Sequence, residues 1–115
     1  VRKAAKRAEA RGLTAARFIR EDAAVFLRDR KYGGLQKEGF THIILDPPRA
    51  GVKGLVRDIA ALKAAYILYV SCSPPELARD LAGFQQIGYT LQKAEVLDMF
   101  PHTSHLETIA VLRKE

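Results

Sequence analysis

The stretch His42-Ile43-Ile44-Leu45-Asp46-Pro47-Pro48-Arg49 places a short apolar run directly before a carboxylate and two prolines. A second apolar run, Tyr66-Ile67-Leu68-Tyr69-Val70-Ser71, leads into Cys72, the only cysteine of the chain. Short apolar runs that end in turn residues are typical of strands in a parallel sheet. Ligands bind at the carboxyl ends of such strands. Asp46 and Cys72 therefore predict a functional site at one edge of a sheet.

One helix is predicted before the second strand in the sequence and another after it. Apolar residues recur at helical spacing over residues 52–63, which predicts an amphipathic helix between the two strands. After Cys72, Ser73 is the expected N-cap, Pro74 lies at the first helical position and Glu76 completes a capping box. The helix is expected to end at Gly88. Alternating strands and helices predict an α/β domain.

Farther toward the amino terminus, the pattern predicts a helix, a strand and a helical turn. Residues 1–11 are rich in strong helix formers, and Gly12 is a suitable stop. A short strand is expected at residues 16–20. Asp22 is a candidate N-cap for the helical turn that follows, and residues 31–39 have the composition of a polar loop.

The carboxyl-terminal part differs in pattern. Residues 89–97 and 108–113 predict two strands with no helix between them, which favours an antiparallel pair. The expected fold is a single domain over residues 1–115, an α/β sheet of parallel strands with an antiparallel C-terminal strand pair.

Composition limits the class of protein. The chain has 115 residues, 48% of them hydrophobic, with a net charge of +6, and one domain of this size can bury a core. The charge suits a polyanionic partner such as RNA, although many basic domains bind no nucleic acid. A single cysteine excludes an internal disulfide and fits a reducing, cytoplasmic compartment. No apolar run approaches the roughly 20 residues that span a bilayer.

Cys72 has two interpretations. Backbone N–H groups and the positive end of the following helix favour its thiolate, as a nucleophile requires. A lone cysteine in an apolar strand is also compatible with a small core residue. The position of Cys72 at the exit of the strand, rather than in its middle, supports the first interpretation and leaves the second open.

The carboxylates also have two interpretations each. Asp46 is either a turn residue or a carboxylate that a stiff proline loop holds against a planar base. Glu107 would share the edge with Cys72 and Asp46 if the last strand runs antiparallel, and is otherwise a solvated glutamate. Asp22 is an N-cap or, in a nucleotide-binding sheet, a contact for an adenine amino group. His102 and His105 have no evident third ligand, so no metal site is predicted.

With these residues, the chain resembles the RNA uracil-C5 methyltransferases, the S-adenosylmethionine-dependent enzymes that form 5-methyluridine in ribosomal and transfer RNA. Four matching stretches occur in the family's order, and they are Leu45-Asp46-Pro47-Pro48-Arg49-Ala50-Gly51, Tyr69-Val70-Ser71-Cys72-Ser73-Pro74, Leu77-Ala78-Arg79-Asp80-Leu81, and residues 97–103 through His105-Leu106-Glu107.

The resemblance implies roles for the matching residues. It implies that Cys72 is the nucleophile that adds to C6 of the uracil, and that Glu107 is the base that removes the C5 proton. It assigns Asp46 to the junction of cofactor and uracil, and Asp22 to the adenine of S-adenosyl-L-methionine. It further implies that the last strand lies beside the strand that leads to Cys72, and that the target base is flipped into the site.

The chain also departs from the family pattern. It has no glycine-rich loop after an early strand and no acidic residue at the end of a second strand. We therefore expect a partial Rossmann-like class I methyltransferase sheet that lacks the first strands, from the carboxyl-terminal part of a catalytic domain. Such a chain would be inactive alone. Its strand at residues 41–45 would have an unpaired edge, which predicts self-association or a rearranged position for residues 16–20.

Three alternatives stay open at this stage. An adenine amino-methyltransferase with an Asp-Pro-Pro-aromatic motif is disfavoured because Arg49 replaces the aromatic residue and Cys72 and Glu107 have no use in that chemistry. Cytosine-C5 RNA methyltransferases typically place a second cysteine in the Asp46 loop. They are disfavoured because this chain has only one cysteine. A non-catalytic RNA-binding or assembly module would need only the positive charge.

Overall fold

The computed structural model describes residues 1–99, 102 and 106–115. Their elements in chain order are α1 (Arg2–Ala10), α2 (Ala23–Arg28), a 3-10 turn (Arg30–Tyr32), α3 (Gly33–Lys37), β1 (His42–Leu45), α4 (Val56–Ala60), β2 (Tyr66–Ser71), α5 (Pro74–Gln86), β3 (Tyr89–Leu97) and β4 (Glu107–Lys114). No helix in these described ranges is both long and apolar enough to cross a bilayer.

The four strands form one mixed sheet in the order β1-β2-β4-β3. Strands β1 and β2 are parallel, with Leu45 opposite Tyr69. Strand β4 lies between β2 and β3 and is antiparallel to both, with Ser71 of β2 opposite Thr108. The α/β class, the antiparallel pair and the position of the last strand beside β2 are thus confirmed.

The core lies between the sheet and helices α4 and α5. Along β2, Ile67, Tyr69 and Ser71 are buried, while Leu68 and Val70 between them are half-buried. Phe84 of α5 is fully buried, and its ring meets that of Tyr89 edge-on, with centroids 5.8 Å apart. The period-2 burial of β2 shows that, within the described residues, helices cover only one face of the sheet.

The predicted strand at residues 16–20 is wrong. These residues are exposed, and within the described part of the chain they pair with no strand. Arg17 instead forms an ion pair with Glu38, at 2.7 Å between Nη1 and Oε1. A strand gains its stability from a ladder partner, and none of the four strands takes up this segment.

The predicted polar loop at residues 31–39 is also wrong. It contains the 3-10 turn and helix α3, in which Gly33 has ordinary right-handed helical angles. The carboxylate of Asp29 caps the turn by accepting from the N–H of Lys31, at 2.9 Å. Tyr32 packs against Phe26 with ring centroids 5.1 Å apart. These contacts outweigh the low helix propensity of the two glycines.

The helix predicted over residues 52–63 is shorter than expected, since α4 covers only Val56–Ala60. Gly51 and Gly54 have positive φ angles of 72° and 76°, which no right-handed helix contains. The residues between Gly51 and the start of α4 therefore form turns. Val52 and Ile59 are nevertheless buried, as their spacing predicts.

Helix α5 begins and ends near the predicted residues. Ser73 is its N-cap, Pro74 is its first residue, and Gly88 follows it with a φ of 90°. The capping box differs from the prediction because the Ser73 hydroxyl donates to the Glu76 carboxylate and accepts no helix N–H.

Candidate active site

The register of the sheet brings three of the predicted site residues to one edge. Asp46 follows the last residue of β1, and Cys72 follows the last residue of β2. Ser71 lies opposite Thr108, so Cys72 and Glu107 are the next positions outward on two neighbouring antiparallel strands. The carboxyl ends of β1 and β2 and the beginning of β4 thus present a carboxylate, a thiol and a second carboxylate. Their chemical roles stay predictions.

Cys72 is held in an exposed position by its two neighbours. Ser71 and Ser73 are both buried, whereas Cys72 is an exposed free thiol. The Ser71 hydroxyl accepts from the N–H of Ser73 and donates to the Ser73 carbonyl, each at 3.1 Å. This pair of bonds sets the turn from β2 into α5 and leaves the side chain between the serines facing outward. Cys72 is therefore not a core residue.

Glu76 lies in the first turn of α5, close to Cys72 in sequence. The Ser73 hydroxyl, then the backbone N–H of Glu76, and then the cations of Arg79 and Arg49 hold the pKa of Glu76 below its ordinary value. Glu76 therefore stays ionised well into the acidic range. The surroundings of Cys72 contain this anion as well as the amino terminus of the helix.

Asp22 and Asp46 line the same cleft, which has a volume of about 700 Å³. Its walls are largely apolar, with Phe26 and Leu27 from α2 and Pro47 from the loop after β1. Cys72 and Glu107 do not line this cleft. The structure thus places Cys72 and Glu107 at the sheet edge and Asp22 in the cleft, while Asp46 belongs to both.

Asp22 is an N-cap and also keeps one oxygen for another partner. Its Oδ1 accepts from the N–H groups of Ala24 and Val25, at 2.8 and 3.3 Å. In the described part of the chain, Oδ2 accepts no hydrogen bond. An apolar cleft with an available carboxylate oxygen at its end fits a flat heterocycle that carries an amino group, so the two interpretations of Asp22 are compatible.

A buried carboxylate fixes the loop that follows Asp46. Asp80 is 2% exposed. Its Oδ2 accepts from the Tyr69 hydroxyl at 2.6 Å and from the N–H of Val52 at 2.8 Å. Its Oδ1 accepts from Arg79, which also donates to the Ala50 carbonyl at 2.8 Å. One side chain therefore ties α5, β2 and the loop together.

Gly51 is required by the same arrangement. Its φ is positive, and a Cβ atom there would overlap the carboxylate of Asp80. Close approach of the loop backbone to Asp80 therefore excludes any side chain at this position.

Sequence reasoning missed Asp80 as a functional or structural centre. A signal was available, because Asp80 lies three residues after Leu77 and four before Phe84, within the apolar stripe of α5. A charged residue in a buried stripe must have partners. Which partners it has could be known only from the fold.

The loop between β3 and β4 carries the predicted histidines. His102 has a φ of 66°, and His105 lies outside the described residues. Within the ranges that the structure covers, no three His, Cys, Asp or Glu side chains are grouped so that they could hold a metal ion.

Comparison with known proteins shows which family this chain is similar to. Residues 11–115 match the family model described as tRNA (uracil-5-)-methyltransferase. The chain is 40% identical over 111 residues to the 23S rRNA (uracil(1939)-C(5))-methyltransferase RlmD of Pseudomonas aeruginosa, covering 96% of this chain and 24% of the relative. It is 49% identical over 77 residues to RlmD of Vibrio parahaemolyticus, covering 67% of this chain and 18% of that protein.

A solved structure is similar to part of the chain. The crystal structure of the Pyrococcus abyssi tRNA (uracil-54, C5)-methyltransferase in complex with S-adenosyl-L-homocysteine matches with a TM-score of 0.58 and 44% sequence identity. The match covers 64% of this chain and 18% of that protein. The chain spans about a quarter or less of the length of the relatives it matches. On the extent of the family match and these identities, the chain belongs to the tRNA (uracil-5-)-methyltransferase family.

Proposed function

We propose that this chain provides the catalytic part of an RNA (uracil-5-)-methyltransferase that methylates C5 of a uridine in ribosomal or transfer RNA. The observation that carries the proposal is the register of β2 and β4, which presents Cys72 and Glu107 side by side at one sheet edge. Family membership supports the same chemistry, and the relatives' RNA substrates favour a cytoplasmic location. An exposed thiol next to a carboxylate is the pair that the reaction needs.

Cys72 acts as the nucleophile in this proposal. Its thiolate forms a bond to C6 of the uracil, and the electron pair of the C5–C6 double bond moves onto C5 and the C4 carbonyl oxygen. C5 thereby becomes nucleophilic enough to take up a methyl group. The exposed position of Cys72 between two buried serines supports this role, because a flipped base can reach the sulfur.

Glu107 acts as the base that completes the reaction. After methylation, C5 carries both the methyl group and its original proton. The carboxylate takes that proton, the electron pair of the C–H bond restores the C5–C6 double bond, and the Cys72 thiolate leaves. Glu107 is half-buried at the first position of β4, where strand pairing limits its movement.

Asp22 and Asp46 are proposed to contact the cofactor, S-adenosyl-L-methionine. When bound, S-adenosylmethionine supplies the electrophilic methyl group. The available Oδ2 of Asp22 suits an adenine amino group, and the apolar walls of the cleft suit the adenine ring. Asp46 lies between this cleft and the edge that carries Cys72, which suits a residue at the junction of cofactor and uracil.

The sheet is proposed to be part of a Rossmann-like class I methyltransferase domain, with residues 1–115 forming its carboxyl-terminal portion. The sequence contains no glycine-rich loop for the methionine and ribose parts of the cofactor. We infer that the 115-residue chain alone does not transfer methyl groups.

Chimeric enzymes test the catalytic roles. The aligned segment of P. aeruginosa RlmD is replaced by this chain, and methyl transfer from labelled S-adenosylmethionine to 23S rRNA is measured. Cys72→Ala and Glu107→Gln should each abolish transfer with RNA affinity retained, whereas Glu95→Gln, an exposed carboxylate on β3 outside the four matching stretches, should leave it intact. Full activity of Cys72→Ala would overturn the catalytic assignment and favour a non-catalytic RNA-binding module.

Calorimetry on the isolated chain tests the incomplete cofactor site. Titration with S-adenosyl-L-homocysteine should release no measurable heat of binding. Saturable binding that Asp22→Ala removes would contradict the inference that the site is incomplete, and would call for a methyl-transfer assay on this chain directly.

We also propose that the chain self-associates through strand β1. It is an edge strand of the described sheet, and its Ile44 is 71% exposed. An unpaired, apolar edge is a template for another strand. Sedimentation velocity should show concentration-dependent association that Ile44→Lys removes and that Leu13→Lys, away from the sheet, does not. A monomer at every concentration would reject this proposal.

A further inference from the structure

The net positive charge of the chain comes from its first 20 residues. Seven of the 19 Lys and Arg residues and one of the 13 Asp and Glu residues lie there, so the other 95 residues contain twelve of each and carry no net charge. The candidate active site therefore lies in a neutral part of the chain. An excess of +6 in one short segment needs a separate explanation.

The cations of helix α1 are arranged at a cost to the helix. Arg2, Lys3, Lys6, Arg7 and Arg11 are all exposed, and none forms an ion pair within the described residues. Several are three or four positions apart, where like charges repel each other. Two lie in the first turn, which contains no acidic residue and where the helix dipole disfavours cations. Arg7 in the last turn and Arg11 at the C-cap lie where the dipole favours cations, so helix stability explains these two and leaves Arg2 and Lys3 unexplained.

Arg20 joins the same surface from outside the helix. It lines a surface cleft together with Arg2 and Lys3. Arg17 does not contribute, because its guanidinium is paired with Glu38. Six unpaired cations thus form one surface, which we call the basic surface: Arg2, Lys3, Lys6, Arg7, Arg11 and Arg20. It connects to the active site through Asp22, which lies two residues after Arg20 and lines the candidate cofactor cleft.

We propose that the basic surface binds the phosphate backbone of the substrate RNA. A closely spaced row of anions would relieve both the repulsion between the cations and their unfavourable position at the helix start. A membrane surface fits less well, because the side of α1 opposite the cations carries only alanines (Ala4, Ala5, Ala8) and an interfacial helix needs bulky apolar residues there. The choice of RNA as the polyanion rests on the function proposed above.

The test measures RNA binding by the chain itself. Fluorescence anisotropy with a labelled single-stranded RNA is recorded between about 50 and 200 mM salt. The variant Arg2→Gln/Lys3→Gln/Arg20→Gln should bind at least about tenfold more weakly, and its slope of log affinity against log salt should be less steep by about 2, since each phosphate contact contributes roughly 0.7. Glutamine retains good helix propensity.

A charge-matched control separates this surface from net charge. Lys37→Gln/Arg57→Gln/Arg113→Gln removes three exposed cations elsewhere and should change the affinity less than twofold. A second variant, Lys6→Gln/Arg7→Gln/Arg11→Gln, should reproduce the loss if the first does not fold. Equal losses in the basic-surface and control variants would overturn the proposal, and so would binding to phosphatidylglycerol vesicles without binding to RNA.

The readout does not depend on turnover. No cofactor is present, so absent methyl transfer leaves the measured affinity and salt slope unaffected. The chimera experiment, in turn, can abolish catalysis through Cys72 while RNA affinity persists. Failure of the basic surface and failure of the proposed reaction therefore give different results.

Discussion

The first 20 residues contribute one buried residue, Ala8, whereas β2 and β4 together contribute six. The same 20 residues hold all of the net charge, and the sheet region that presents Cys72 and Glu107 holds none of it. Stability and positive charge are thus carried by different regions. Substitutions in the sheet and the helices packed on it should therefore lower the free energy of unfolding. Substitutions in the basic surface should weaken RNA binding and leave the free energy of unfolding almost unchanged.

The largest expected effect is in the core. Phe84→Ala removes a fully buried ring and should lower the free energy of unfolding by about 3–5 kcal/mol. Leu13→Ala, in the exposed segment after α1, should change it by less than about 0.5 kcal/mol. Urea denaturation of both variants measures the difference. Similar losses would show that the amino-terminal segment is part of the cooperative fold.

The next effect compares two Asp–Arg pairs. Asp80→Asn replaces a carboxylate by an amide that cannot accept from the buried Tyr69 hydroxyl, the buried Val52 N–H and the exposed Arg79 guanidinium together, and should cost about 2–3 kcal/mol. Asp58→Asn removes the partner of Arg28 at the surface, where the Nη2–Oδ2 distance is 2.7 Å, and should cost at most about 1 kcal/mol. Equal costs would refute the central place of Asp80. Thermal unfolding at neutral pH makes the comparison.

A smaller effect depends on pH. Burial, and then the hydrogen bond to Asp80, raises the pKa of Tyr69 above its ordinary value of 10. Between pH 10 and the higher pKa of the folded state, the unfolded chain loses the proton that the folded chain keeps. The stabilisation is therefore fully present below pH 10 and falls as the pH rises above it.

Tyr69→Phe tests this linkage. The variant should lose about 1 kcal/mol near neutral pH and then show a shallower decline in alkali than the parent. Tyr66→Phe, at a partly exposed position in the same strand, is the control and should keep the parental slope. An unchanged alkaline slope in Tyr69→Phe would show that another group, such as the buried Tyr89, causes the decline.

The smallest effect is expected in the basic surface. Replacing Arg2, Lys3 and Arg20 by glutamine should change the free energy of unfolding by less than about 0.5 kcal/mol, with a slight gain from reduced repulsion. A loss greater than 1 kcal/mol in urea denaturation would mean that these cations support the fold, and the two regions would then not be separable.

Much of the sheet and the position of its functional edge could be predicted from the sequence. Residues 66–71 have no polar interruption before Ser71, and the prolines at positions 74 and 75 mark the start of α5, so local pattern was sufficient. Residues 16–20 contain Phe18 and Ile19, which favour strands, but form no strand, because a strand depends on a partner that local sequence does not reveal. Positive φ angles at Gly51 and Gly54 shorten α4. At Gly51 the cause is equally remote in sequence, the close approach of the loop backbone to Asp80.

The groups available for chemistry, the thiol of Cys72 and the carboxylates of Asp22, Asp46 and Glu107, could be named from the sequence alone. For Asp46 and Cys72 the reason is local, since each directly follows an apolar run, whereas the strand expected before Asp22 does not form. Their grouping depends on the tertiary structure. Insertion of β4 beside β2 brings Glu107 next to Cys72, and the cleft joins Asp22 to Asp46 across 24 residues of chain. Asp80 of α5 accepts hydrogen bonds from β2 and from the loop after Asp46 only because the fold brings these three segments together. Such contacts depend on the pairing of distant segments, which is stabilised by burial of the whole core and by no single motif.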